Sequence, residues 1–242
     1  MNAHLVAMAR SHYGYGHWNA DYWFIGPEEG DAPISTIQQR QQRWAALGHL
    51  DLDDCRKFHE TIEPKWHLLP PPLQPTWRRL MILLMAATNR PTHEGFLREY
   101  QKTKWGMRDG ETCVIELSGL PAHSYVASKN QRQALFDDGQ QEGIRAERIK
   151  HIQNKIIEEA PKLVVMYGCS EKKHWEMISQ VKFINCTDFK VGQSFRAGQT
   201  VFAFTKHPVA FGPTDEQWIE FGTELRKLIG NLKGWPPSDG NK

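Results

Sequence analysis

The sequence predicts an α/β fold, a single three-layer αβα domain with a central, mostly parallel four-stranded sheet. Four short apolar runs, rich in β-branched and aromatic residues, have the near-continuous apolarity of strands that are covered on both faces. Helical patterns lie between these runs, and strands that alternate with helices are typical of parallel sheets. The predicted strands are Asp21–Ile25, Thr112–Leu117, Leu163–Tyr167 and Thr200–Thr205.

The helices are predicted from apolar residues that recur at intervals of three and four. This pattern is clearest between the first two strands, where one helix face would carry Trp77, Leu80, Met81, Leu84 and Met85. Pro161 would end the helix before the third strand, because proline cannot continue a helix. The predicted helices are Ser35–Leu47, Thr76–Ala87, Gly143–Glu159, Ser170–Gln180 and Asp215–Ile229, and a weaker strand candidate is Lys182–Asn185.

One folding unit accounts for the length of the chain. The 242 residues suit a single large core, and no linker divides them. We therefore expect one domain over residues 1–233 and a flexible C-terminal tail over residues 234–242. The polar segment Asp31–Pro75 would contain irregular chain after its helix, and long loops in compact domains are usually functional or disordered.

Net charge and apolar segments indicate where the protein is found but leave its partners open. A formal charge of +2 neither indicates nor excludes a nucleic-acid partner. Because the N-terminus lacks the features of a signal peptide and Leu80–Ala87 is too short to cross a bilayer, we expect a cytoplasmic protein without a membrane partner.

The cysteines lack the Cys-x-x-Cys spacing of zinc or iron–sulfur segments, so we expect reduced, mostly buried thiols and neither a metal nor another cofactor. They are Cys55, Cys113, Cys169 and Cys186.

A turn with adjacent carboxylates follows the first predicted strand. Gly26 and Gly30 bracket Pro27, Glu28 and Glu29, and glycine lets a backbone turn sharply and approach a ligand. Neighbouring carboxylates repel one another and hold protons more readily, which suits a general base near neutral pH. An exposed acidic turn is the alternative interpretation.

A second loop, Thr205–Phe211, follows the last predicted strand. His207 would lie where the strand ends, and Pro208 would fix the direction of the chain after it. A neutral imidazole at this position can donate a hydrogen bond to a substrate that develops negative charge. A surface His-Pro turn, with Phe211 packed on a neighbouring loop, is the alternative.

Together, these loops resemble motifs of the uracil-DNA glycosylase superfamily. Phe24–Gly30 (FIGPEEG) is similar to its first motif, and Lys206–Phe211 (KHPVAF) is similar to its His-Pro motif. Val114–Pro121 (VIELSGLP) and Leu163–Trp175 (LVVMYGCSEKKHW) resemble its second and third strands with their turns. The resemblance implies a monomeric enzyme that flips uracil out of single- or double-stranded DNA, hydrolyses the N-glycosidic bond and starts base excision repair.

The resemblance also implies roles for residues near the reacting bond. Glu28 or Glu29 would orient water, and His207 would donate a hydrogen bond to O2 of the departing uracil. Gly26 and Pro27 would form the turn that contacts the substrate.

Further residues would contact the base and the DNA. Ser118 would bind a base edge, while Trp66, chosen over Trp44 and Phe58, would stack on the flipped base. Phe211 would fill the gap in the duplex. Phosphate contacts would come from Ser170, Lys172 and Lys206.

The motifs depart from the family pattern at several positions. Pro27 comes earlier than usual, two glutamates replace the usual residues, and Val209 stands where serine is common. Glu116 or Ser118 lies where the family has a base-reading asparagine. Two other functions therefore stay open: a metal-dependent nucleotide or nucleoside hydrolase or transferase that uses Glu28 and Glu29, and a non-catalytic nucleic-acid-binding module.

Overall fold

The computed structural model describes residues 3–28, 34–68, 70–120 and 138–231. These residues form an α/β structure around one mixed sheet, which confirms the predicted class. Within the described part of the chain the sheet has seven strands, in the order β3-β1-β4-β2-β5-β7-β6. The strands are β1 Gly14–Tyr15, β2 Tyr22–Gly26, β3 Leu52–Asp53, β4 Thr112–Glu116, β5 Leu163–Tyr167, β6 Gly192–Ala197 and β7 Thr200–Thr205.

The four predicted strands form the parallel middle of this sheet. β4, β2, β5 and β7 are neighbours in that order, and each pair runs parallel. The prediction of a four-stranded sheet is wrong, because β1 and β3 extend one side and β6 pairs antiparallel with β7 on the other. β1 and β3 have two residues each, too few to show a pattern, and Lys182–Asn185 is irregular rather than a strand.

The helices agree with the predicted ones, and others occur besides. Part of the segment Asp31–Pro75 that was predicted to be irregular is regular in the structure. It contains β3, the short helix α3 (Cys55–His59) and a 3₁₀ turn at Pro64–Trp66. Gly143–Glu159 begins five residues earlier than predicted, and Ser170–Gln180 begins as a 3₁₀ turn at Cys169–Glu171. The helices are α1 Ala3–Ser11, α2 Ile34–Ala46, α3 Cys55–His59, α4 Pro75–Ala87, α5 Glu94–Thr103, α6 Asp138–Glu159, α7 Lys172–Ser179 and α8 Asp215–Gly230.

Side-chain alternation along the central strands builds two hydrophobic layers. Phe24 and Val165 belong to the layer that packs against α4 and α8. Their neighbours Trp23 and Val164 belong to the opposite layer, which packs against α6 and α7. Because successive strand residues point to opposite faces, a run that is apolar throughout is buried on both sides.

Caps fix where the two helices beside the first layer begin. The side chain of Gln74 accepts a hydrogen bond from Trp77 N at the start of α4, and Pro75 occupies the first turn. Thr214 and Gln217 form a reciprocal capping box at the start of α8. The capping box sets where α8 begins after the Thr205–Phe211 loop.

No helix of the described residues is long and apolar enough to cross a membrane. The predicted tail over residues 234–242 lies outside the described residues.

Candidate active site

The carboxyl ends of the four parallel strands meet at one edge of the sheet. Leu117 N donates to Gly26 O at 2.8 Å, and Ser118 N donates to Pro27 O at 2.9 Å. These bonds hold the turn after β2 beside the turn after β4. On the other side, Gly168 N donates to Thr205 O at 3.1 Å, which joins the ends of β5 and β7.

Gly168 brings the two predicted loops together. Its φ is 95°, a conformation that favours glycine. A methyl group placed on it would lie 3.7 Å from Pro27 Cγ and 4.0 Å from His207 Cδ2. The first and last loops therefore both border Gly168.

Gly26 borders two polar groups of the neighbouring strands. A Cβ atom at Gly26 would overlap the Tyr167 hydroxyl and lie 2.7 Å from Glu116 Oε2. Both Glu116 and Tyr167 are buried. The sequence singled out the position of Glu116 as a base-reading candidate but missed Tyr167, which ends an otherwise apolar strand.

His207 is held as a neutral hydrogen-bond donor. Val209 N donates to its Nδ1 at 3.4 Å, so the proton of the neutral ring is on Nε2. The ring packs edge-on against Tyr167, with 5.5 Å between the ring centroids. Burial lowers the pKa of His207 below its usual value, which keeps the imidazole uncharged near pH 7.

Arginines on α4 brace the loop that follows His207. Arg79 Nη1 donates to Pro208 O at 2.6 Å and to Ala210 O at 3.4 Å. Its Nε lies 3.6 Å from Asp215 Oδ1. The sequence did not point to this brace, because more than a hundred residues separate Arg79 from the loop.

The neighbouring arginine on α4 pairs with the same aspartate. Arg78 makes a two-point ion pair with Asp215, with Nη1 donating to Oδ1 at 2.9 Å, and this pair lowers the pKa of the carboxyl. Beyond the brace, Phe211 is fully exposed.

The structure describes only the first part of the acidic turn Gly26–Gly30, up to Glu28. Glu28 is half-buried and follows Pro27 directly, so it lies at the same edge as His207. Glu29 and Gly30 lie outside the described residues.

The predicted stacking aromatics are in different surroundings. Trp66 is half-buried, with Lys65 Nζ 4.5 Å from its ring centroid and Trp77 packed beside it. These contacts place Trp66 beside α4. Phe58 and Trp44 are core residues with at most 2 % of their surface exposed, so neither can stack on a base.

The remaining predicted contacts lie in or just after the turns that follow β4, β5 and β7. Ser118 Oγ donates to Leu120 O at 3.2 Å within its turn. Ser170 is exposed at the start of the 3₁₀ turn after β5, while Lys172 is paired with Glu176 at 2.6 Å. Lys206 Nζ lies 6.0 Å from the ring of Phe189. To reach a phosphate, Lys172 must exchange its carboxylate partner.

The expectation that all cysteines are reduced is wrong for one pair. Cys169 and Cys186 form a disulfide, with their Cα atoms 6.1 Å apart. α7 folds back after β5 and returns the chain to Cys169, which a sequence separation of 17 does not reveal. Cys55 and Cys113 are buried thiols outside the disulfide, as predicted.

Comparisons with known proteins provide no assignment. A scan against models of protein families found no match, and a search of curated proteins found none either.

Proposed function

We propose that this protein is a DNA base glycosylase that flips uracil out of DNA and hydrolyses its N-glycosidic bond. The observation that carries the proposal is the close approach of Pro27, Gly168 and His207 at one edge of the sheet. A carboxylate-bearing turn and a neutral imidazole thereby lie at the same edge of the sheet. Hydrolysis of a glycosidic bond needs both a base for water and a donor for the leaving group.

Each group has a defined part in the proposed reaction. Glu28 orients a water molecule and accepts its proton as the water oxygen bonds to C1′ of the sugar. The C1′–N1 bond breaks, and its electron pair leaves with uracil. His207 Nε2–H donates a hydrogen bond to uracil O2, where negative charge develops.

Glu116 and Tyr167 suit recognition of the uracil edge. Uracil presents an N3–H donor between two carbonyl acceptors. An ionised carboxylate accepts hydrogen bonds only, whereas a tyrosine hydroxyl can also donate. Gly26 lets both side chains lie close to its backbone, and in the proposed complex Glu116 accepts from N3–H while the Tyr167 hydroxyl donates to a carbonyl.

Phe211 is suited to contact the DNA duplex from which the base is flipped. Flipping a base leaves a gap in the stack and costs a few kcal/mol, and an apolar side chain can occupy that gap. Phe211 is fully exposed on the braced loop, four residues after His207. Ser170, Lys172 and Lys206 are the proposed phosphate contacts.

The test is incubation of the full chain with end-labelled oligonucleotides that carry one uracil, followed by hot alkali and a denaturing gel. We expect cleavage at the uracil, with and without EDTA, and none in a thymine control. Absence of cleavage at uracil, hypoxanthine and xanthine would contradict the proposal. Cleavage that requires an added divalent metal would favour the metal-dependent hydrolase.

A further inference from the structure

Three residues capable of binding metal cluster beside the sheet edge at β3. Cys55 and His59 begin and end α3, and His67 follows the 3₁₀ turn Pro64–Trp66. One sulfur or nitrogen atom from each lies within 4.8 Å of those of the other two. All three residues are buried, with exposed fractions of 0 %, 1 % and 8 %.

His67 is the observation that points to a ligand. More than nine-tenths of the residue is buried, and neither ring nitrogen has a hydrogen-bond partner among the described residues. Buried polar groups nearly always have partners, and an exception calls for an explanation such as an ion. The ring of His67 faces the cluster, since one of its nitrogens lies within 4.8 Å of both other ligand atoms.

His59 is oriented as a metal ligand usually is. Its Nδ1 lies 2.7 Å from the carbonyl oxygen of Cys55, which can only accept, so Nδ1 carries the proton. The lone pair is then on Nε2. Because Nδ1 is also the nitrogen that lies 3.6 Å from Cys55 Sγ, the imidazole must turn for Nε2 to reach a shared ion. A ligating histidine commonly donates its other N–H to a backbone carbonyl, which fixes the ring and its tautomer.

Neighbouring groups hold the cluster in place and offer a fourth ligand. Cys55 N donates to Gly106 O at 3.0 Å, which fixes the start of α3. Glu63 Oε2 lies 4.0 Å from His59 Nε2 and accepts from Arg40 at 2.8 Å. A carboxylate is therefore close enough to join the three ligands after a small movement.

We infer that Cys55, His59 and His67 bind one zinc ion, with Glu63 or a water molecule as the fourth ligand. One thiolate and two imidazoles match the ligand preference of zinc. Zinc bonds of about 2.0–2.3 Å imply ligand separations of roughly 3.3–3.8 Å in a tetrahedral site. Side-chain movements of about 1 Å bring the present separations into that range.

The role of this zinc ion is structural. Its ligands are buried, so a substrate has no access to them. The ion would join α3 to the 3₁₀ turn that carries Trp66, across a part of the chain with little regular structure. Zinc binding is thus independent of the proposed glycosylase reaction and is measured without DNA.

Direct metal titration tests the inference. The thiols that a reductant frees from Cys169 and Cys186 are first removed by a double serine substitution, so that they cannot compete for metal. This protein, stripped of metal and kept reduced, is titrated with Zn²⁺ against a chromophoric chelator and separately with Co²⁺. We expect one equivalent to bind with submicromolar affinity, and a thiolate-to-cobalt charge-transfer band.

Substitutions assign the ligands. Cys55→Ser should abolish the charge-transfer band, and His67→Asn should weaken zinc binding at least about tenfold. Cys113→Ser, at the other buried cysteine outside the disulfide, and His93→Asn, at an exposed helix cap, are the matched controls and should bind as before. Failure of the unsubstituted cluster to bind Zn²⁺ or Co²⁺ would overturn the inference, even if the ligand variants do not fold. Full binding by both ligand variants would overturn it as well.

Discussion

His207 shows how a single residue acquires properties that its amino-acid type does not guarantee. An exposed histidine is partly protonated near neutral pH. Here burial lowers the pKa, and the Val209 N–H occupies Nδ1. The proton on Nε2 is therefore available for donation without a positive charge on the ring.

The first prediction concerns the proposed reacting groups. Glu28→Gln or Glu29→Gln should lower the single-turnover rate on a uracil oligonucleotide at least about tenfold, because the general base is lost. His207→Ala should do likewise, because the leaving group loses its donor. His93→Ala is the control and should leave the rate unchanged. Wild-type rates in both glutamate variants would remove the acidic turn from the mechanism.

The second prediction concerns pH. Because the pKa of His207 lies below its usual value of about 6.5, the ring is mostly neutral above that pH, and this group should cause little change in rate between about pH 7 and 8. As the pH falls further, protonation at Nδ1 displaces the Val209 N–H and the rate should fall. His207→Gln should remove that part of the acid limb in a single-turnover pH profile. An acid limb of the same position and depth in the variant would show that another group titrates.

At the scale of elements, the strands and helices that pack on extended apolar surfaces are the ones that the sequence predicts. The central strands and the long helices pack on extended apolar surfaces, so their patterns are strong and their bounds were predicted closely. β6 lies at the edge of the sheet, and its residues are half-buried or exposed, so it lacks an apolar run. α3 has five residues, fewer than a helical period needs for recognition.

The third prediction concerns the disulfide beside the candidate site. The bond between Cys169 and Cys186 restricts the unfolded chain, and a loop of 17 residues corresponds to roughly 3 kcal/mol of stability. Cys186→Ser should therefore lower the free energy of unfolding by up to about 3 kcal/mol in urea denaturation. Adding reductant to the wild type should have a similar effect, whereas the variant should be insensitive to it. Equal stability of all three samples would contradict the prediction.

At the scale of the whole molecule, Arg148 connects parts that are distant in sequence. It lies on α6 with 1 % of its surface exposed, and burial lowers its pKa to about 10. Its guanidinium stacks on Tyr13 at 4.1 Å. It donates to the carbonyl oxygens of Ala9, Arg10, His12, Glu116 and Leu117.

The fourth prediction follows from this connection. Arg148→Met should destabilise the protein by at least about 3 kcal/mol, because several buried carbonyls lose their donor at once. Arg145→Met is the matched control, since Arg145 lies one turn earlier on the same helix and makes one longer ion pair with Glu171 at 3.4 Å. Urea denaturation of both variants measures the difference. Similar losses in the two would show that the carbonyl contacts of Arg148 add little.

The candidate site could be predicted from the sequence only where its residues follow strands. Parallel strands end at one edge, so the presence of Pro27 and His207 at that edge follows from topology. The approach of Tyr167 to Gly26, the brace from Arg79, and the meeting of Cys55 with His67 depend on three-dimensional packing. No spacing in the chain encodes these contacts.

The braced loop that ends in Phe211 affects how fast DNA would be captured. Arg79 already holds the carbonyls of Pro208 and Ala210 in the free protein, so the loop needs no rearrangement after an encounter. Complexes that form without such rearrangement associate faster than those that must wait for it. Loosening the brace with Arg79→Ala would then slow association with DNA while the exposed ring stayed chemically the same.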